Sequence, residues 1–103
     1  AQAELKQQIS VELEQAIANY QTALKQIKVA ESQEKFTRQS LEAYTERYRV
    51  QAATLVELTQ AAVRQLEAAT ELVQARFDLV VKRVAVAFYQ GDGEEMISLF
   101  EQS

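Results

Sequence analysis

The chain is 103 residues long, with 48% hydrophobic residues and a formal net charge of -4. That length bounds it to one small domain, and the scattered Lys and Arg among acids form no basic stripe interleaved with aromatics, which argues against nucleic acid as a partner. Cysteine and histidine are both absent, so disulfides, thiolate nucleophiles, imidazole bases and Cys/His metal sites are excluded, and no catalytic residue, cofactor or metal ligand set is expected.

The opening Ala1-Gln2-Ala3-Glu4-Leu5 carries no capping residue and resembles the interior of a helix, so the chain is expected to be a segment of a longer protein. Before Gly91 there is neither glycine nor proline, and helix formers dominate. A 4-3 apolar repeat runs through Ile9, Leu13, Ala16, Tyr20, Ala23, Ile27 and Ala30, breaks at Glu34 and Thr37, and resumes at Leu41, Tyr44 and Tyr48. A sustained 3.5-residue period is the coiled-coil signal, because it keeps one seam facing a partner helix. A second line, Val29, Phe36, Ala43 and Val50, recurs every seven residues on another face. Arg47 and Arg49 are placed to complement the negative end of a helix dipole.

Thr54-Leu55-Val56-Glu57 is the one Ser/Thr-x-x-Glu sequence in the first ninety residues. Such a box satisfies two orphan amides of a first turn reciprocally and marks a helix start, with Thr54 and Glu57 as the helix cap. Downstream, Val56, Thr59, Val63, Leu66, Thr70, Val73, Phe77, Val80, Val84 and Ala87 form the expected seam, and Leu58, Leu72, Leu79 and Val86 a second line. Extending the first seam past Tyr48 would put Gln51, Gln65, Arg76 and Arg83 in a core, a costly arrangement. The cap and the phase change favour a hairpin over a single helix of ~130 Å. The predicted fold is all-α: a long antiparallel helical hairpin, with a helix over about 2–50, a turn at about 50–54, a helix over about 54–90 that stops at Gly91, and a short tail helix over about 93–101 capped by Asp92. Met96, Ile97, Leu99 and Phe100 give that tail something to dock. Two apolar lines per helix require packing on more than one side, which implies assembly with further helices.

Carboxylates such as Glu42 and Glu46 lie one turn apart, but a solvated face with i,i+4 neighbours such as Glu31 and Lys35 explains them better than acid-base chemistry. Enzymatic activity is not expected. Tyr44 and Tyr48 sit on the seam before the turn, either as amphipathic packing at the hairpin tip or as contacts for a partner. The most apolar run, Leu79 to Tyr89, is about half the ~20 residues a membrane span needs.

Tyr48-Arg49-Val50-Gln51-Ala52-Ala53-Thr54-Leu55-Val56-Glu57-Leu58, followed by Gln60-Ala61 and by Ala75-Arg76-Phe77-Asp78, resembles the TolC family of outer membrane efflux channels over about residues 10–93. In that family a helix ends in a Tyr-x-x-Gly turn followed by Thr and an acidic residue before leucine, and the next helix carries an Ala-Arg-Tyr-like segment before stopping at a glycine. Gln51 stands here where the family has its turn glycine, and Ala53 where some members carry a basic tip residue. The resemblance implies a homotrimer in the parent protein, an outer membrane β-barrel continued by a periplasmic α-helical tunnel, with this chain as the second periplasmic hairpin. It further implies docking of the tip, Val50, Gln51, Ala52 and Thr54, onto a periplasmic adaptor that links the channel to an inner membrane pump for efflux or type I secretion. By position, Tyr48 would match a tip tyrosine of the closed gate and Glu57 an acidic residue lining the pore. A stand-alone coiled-coil scaffold or oligomerisation module with no transport role is the alternative. A peripheral membrane-remodelling helix fits less well, for lack of a lysine-rich polar face.

Overall fold

A computed structural model describes the backbone over residues 2–102, and side chains over the same span except residues 92–97, 99, 100 and 102. Two helices, α1 (Gln2–Arg49) and α2 (Leu55–Gln102), form a helical hairpin. Nothing in either sequence interrupts backbone hydrogen bonding: proline is absent, and the β-branched residues are dispersed among Ala, Glu, Gln and Leu.

The hairpin divides into two compact units, one comprising Ala1–Lys25 with Phe77–Ser103, the other Gln26–Arg76. In the second unit, which contains the turn, Ala61, Ala68, Leu72 and Thr37 are buried. Ile27, Ala30, Glu34, Leu41 and Tyr44 of α1, with Leu58, Gln65 and Ala75 of α2, are half-buried around them. In the first unit Ala16 and Ala23 are buried, with Ile9, Leu13 and Tyr20 of α1 and Leu79, Lys82, Val86 and Tyr89 of α2 half-buried. A solvent-exposed ion pair, Lys6 Nζ to Glu101 Oε1 at 3.0 Å, joins the helices of this unit; surface pairs of this kind contribute little.

The α1 seam therefore follows the sequence pattern as far as Tyr44, with Tyr48 exposed. The α2 seam does not. The packed face is Leu58, Ala61, Gln65, Ala68, Leu72 and Ala75, continued in the other unit by Leu79, Lys82, Val86 and Tyr89, whereas Val56, Val63, Leu66, Val73, Phe77, Val80 and Val84 are all exposed. The line expected to be secondary is the one that closes the hairpin. Small residues are the most deeply buried in each unit, Ala61 and Ala68 of α2 in the one and Ala16 and Ala23 of α1 in the other, and a small side chain at a helix contact permits close packing where a valine or phenylalanine knob would hold the helices apart.

Polar atoms in the seam are partnered. Thr37 is 6% exposed. Its Oγ1 lies 2.6 Å from Gln65 Oε1 and 3.0 Å from the carbonyls of Gln33 and Glu34, while Gln65 Nε2 donates to Glu34 Oε1 at 3.1 Å. The break at Glu34 and Thr37 thus faces Gln65, the residue that a purely apolar seam would have excluded, and the three side chains satisfy one another.

The expected stop at Gly91 and separate tail helix are also corrected: α2 runs unbroken to Gln102. No glycine among the described residues has a positive φ, so Gly91 does not form the left-handed cap. A glycine within a helix costs about 1 kcal/mol relative to alanine, and α2 continues through Gly91 despite that cost. The side chains of Asp92, Met96, Ile97, Leu99 and Phe100, invoked for the tail, lie outside the described ones.

Candidate functional site

Every residue singled out for function falls at the turn of the second unit, between the end of α1 and the first turn of α2. Local hydrogen bonds build this tip. Ala52 N–H donates to the Arg47 carbonyl at 2.7 Å and Gln51 N–H to the Tyr48 carbonyl at 3.0 Å. These are the 6→1 and 5→2 bonds of a Schellman motif, with Gln51 at the C′ position. That motif requires a left-handed residue, and Gln51 has φ 62°, the only positive φ of a non-glycine among the described residues. The Cβ of an L-residue in this conformation crowds the following carbonyl, at roughly 1–2 kcal/mol. The hydrogen bonds on either side hold the strain in place.

Thr54, three residues after Gln51, caps the start of the second helix. Glu57 N–H donates to Thr54 Oγ1 at 3.1 Å, and Glu57 Oε1 accepts from Thr54 N–H at 3.4 Å and from the Thr54 hydroxyl at 3.1 Å. Leu58 N–H donates to the Thr54 carbonyl at 3.1 Å as the first helical bond. This is the reciprocal capping box that the sequence predicts. A C-cap motif and an N-cap box therefore adjoin with Ala53 alone between them, which gives the tip a specific backbone path without glycine or proline.

The side chains of the tip face solvent. Val50, Gln51, Ala52, Thr54, Tyr48 and Glu57 are all exposed, Val50 at 66%. Beneath them the Arg47 guanidinium lies 5.2 Å from the centroid of the half-buried Tyr44 ring, a cation–π contact. Arg49 Nη1 pairs with Glu46 Oε2 at 3.6 Å. Tyr48 and Glu57, singled out as gate and pore residues, flank the turn on opposite helices; in the hairpin itself Glu57 serves the cap.

Away from the tip, both helices carry uncovered apolar lines. In the second unit these are Val29 (69% exposed) and Phe36 (64%) on α1, and Val56, Val63, Leu66 (69%) and Val73 on α2. In the first unit Phe77 (70%), Val80, Val81, Val84 and Phe88 of α2 are exposed. The α2 line was readable in the sequence as a seam; what it faces was not. Among the described residues no group of three or more Asp or Glu side chains is placed to hold a metal ion, and no helix is long and apolar enough to cross a membrane. Open grooves run along the first unit, one of them lined by Glu12, Asn19, Lys82 and Tyr89.

No protein-family model, curated protein or solved structure matches the chain.

Proposed function

We propose that this hairpin is a wall element of a periplasmic tunnel of the TolC type, with its turn as the adaptor-docking tip and as part of the gate. The observation that carries the reading is the conformation of Gln51. Where the resembling family places glycine, this chain has a residue that nevertheless adopts the left-handed conformation glycine would take, with both Schellman bonds made around it. The tip geometry that the family motif encodes is thus compatible with the substitution. The uncovered heptad lines on both helices support the same reading, since a tunnel wall needs each helix to pack on two flanks and present polar residues to water.

In this reading the parent protein is a trimer in the outer membrane and this segment lies in the periplasm. Val50, Gln51, Ala52 and Thr54 meet the hairpin of a periplasmic adaptor coupled to an inner membrane pump. Tyr48 contributes to the closed gate, and Glu57 lines the constriction, where a ring of carboxylates would favour cations over anions. The function is passive conduction for efflux or type I secretion, with no catalysis and no cofactor.

The test is photo-crosslinking in the native cell, with a photoreactive residue at Ala52 or, as comparison, at Glu14 on the exposed surface of α1. The proposal predicts an Ala52 product containing a periplasmic adaptor, recovered with the outer membrane, and no such product from Glu14. Recovery of the protein away from the cell envelope, with neither position joined to an adaptor, would reject it in favour of a scaffold without transport role.

A further inference from the structure

The turn that closes this hairpin is strained, and the seam it closes is symmetric about the strained residue. Thr37 and Gln65, hydrogen-bonded across the hairpin, lie equally far along the chain from Gln51. The same mirror relation holds for the rest of the packed face: Tyr44 with Leu58, Leu41 with Ala61, Glu34 with Ala68 and Ala30 with Leu72 in the turn unit, and Ala23 with Leu79 and Ala16 with Val86 in the other. Any antiparallel pairing with this property is satisfied equally well by two chains related by a twofold axis through Gln51. Each α1 would then meet the α2 of the other chain, with the same residues opposed.

Such an exchange requires the turn to become helix, and the sequence permits it. Val50-Gln51-Ala52-Ala53-Thr54 contains no glycine or proline, and includes two alanines, the strongest helix formers. Opening releases Gln51 from its left-handed conformation and trades the Schellman and capping-box bonds for i→i−4 bonds. The seams also connect. One heptad line runs unbroken from Ile9 through Ala16, Ala23, Ala30, Thr37, Tyr44 and Gln51 to Leu58, Gln65, Leu72, Leu79 and Val86. The companion line lies four residues after it in α1 and three after it in α2. At about 100° per residue this turns the centre of the seam by only about 50° across the turn, a rotation that supercoiling can distribute over the central turns.

We infer that Gln51 is the hinge of a domain swap, and that the occupant of the opened seam is a second copy of this chain, forming an antiparallel dimer of two continuous helices. The bulky exposed lines take no part in the exchange, and the inference stands independently of the tunnel reading. Exchange of identical elements is a low-cost route to dimers when a short hinge is under strain.

The test uses the chain with spin labels at Lys28 and Gln74, both exposed and both polar, introduced as Lys28→Cys and Gln74→Cys into a sequence without other cysteines. Each of Gln51→Ala and Gln51→Gly is carried on this background. Samples are annealed at high concentration, sized by light scattering, and measured with a tenfold excess of unlabelled chain present during annealing. Gln51→Ala, which favours helix and keeps the strain of the turn, is expected to populate a dimer whose intramolecular label distance is roughly 69 Å, from 46 helical steps of 1.5 Å. Gln51→Gly is expected to shift the balance towards the closed monomer by roughly 5- to 30-fold per turn relative to Gln51→Ala. A dimer whose intramolecular distance stays within about 25 Å would be a pair of intact hairpins and would overturn the inference. A Gln51→Ala chain that remains monomeric and short at every concentration would overturn it equally.

Discussion

Replacing Gln51 by glycine should stabilise the hairpin, although glycine near helices generally does the opposite. The left-handed conformation at φ 62° costs an L-residue roughly 1–2 kcal/mol. Glycine removes that cost but enlarges the conformational freedom of the unfolded chain, which returns roughly 0.5–1 kcal/mol. The balance is a gain of about 0.5–1 kcal/mol, which for a chain of this size raises the melting temperature by roughly 2–8 °C. Gln51 is exposed and its side chain makes no hydrogen bond that would be forfeited among those found at the tip. Thermal unfolding followed by circular dichroism at 222 nm, at one low concentration to hold any association fixed, measures the effect. Ala52→Gly is the internal control: Ala52 has no positive φ, so glycine there brings only the entropic penalty and should lower stability. If Gln51→Gly lowers the melting temperature as much as Ala52→Gly does, Gln51 is not in the left-handed region and the account of the turn is wrong.

Three further predictions rest on equally specific features. Gly91→Ala should strengthen the distal part of α2 by about 0.5–1 kcal/mol, because Gly91 is helical and an added Cβ meets nothing within 4 Å; slower amide exchange around residue 91 would register it, whereas a loss of helix beyond Gly91 would mean the glycine caps after all. Thr54→Ala should cost about 1 kcal/mol through the lost cap, with Thr54→Ser recovering most of it; equal melting of all three proteins would discount the capping box. Gln65→Leu should be neutral or stabilising by up to about 1 kcal/mol, since Thr37 retains the Gln33 and Glu34 carbonyls as partners and half-exposed Glu34 can turn to water; a loss above about 2 kcal/mol in denaturant unfolding would show the polar cluster to be a net source of stability.

How far the sequence could be read depends on the kind of signal at each place. The Thr54 box is a local motif whose atoms interact within one turn, and it emerged with each expected hydrogen bond. The α1 seam was legible because its rival line, Val29, Phe36, Ala43 and Val50, offers only one residue in seven. In α2 two lines compete, and the bulkier one, Val56 to Val84, outweighs the other on hydrophobicity alone. Which line closes the hairpin is decided by the fit between two helices: in the turn unit Ala61 and Ala68 are buried while the bulkier Val63 and Leu66 stay exposed, a property of two helices together that no periodicity within one helix can express. Gln65 misled for a related reason, since its acceptability in the seam depends on Thr37 and Glu34 lying opposite. At Gly91 the ambiguity is between a cap and a tolerated helical glycine, which local sequence leaves open. At the tip, the absence of glycine left the conformation of Gln51 open, because a left-handed glutamine is uncommon but affordable when the bonds around it are made.

The turn at Gln51 is what every proposed role of the tip depends on, so the distance between labels at Lys28 and Gln74 in the otherwise unaltered chain, at high dilution, is the most direct measurement. The hairpin predicts a single short distance, within about 10–25 Å given helix spacing and label length. A distance of roughly 69 Å under these conditions would mean that the dilute chain is one continuous helix, and that Val50, Gln51, Ala52 and Thr54 form no tip.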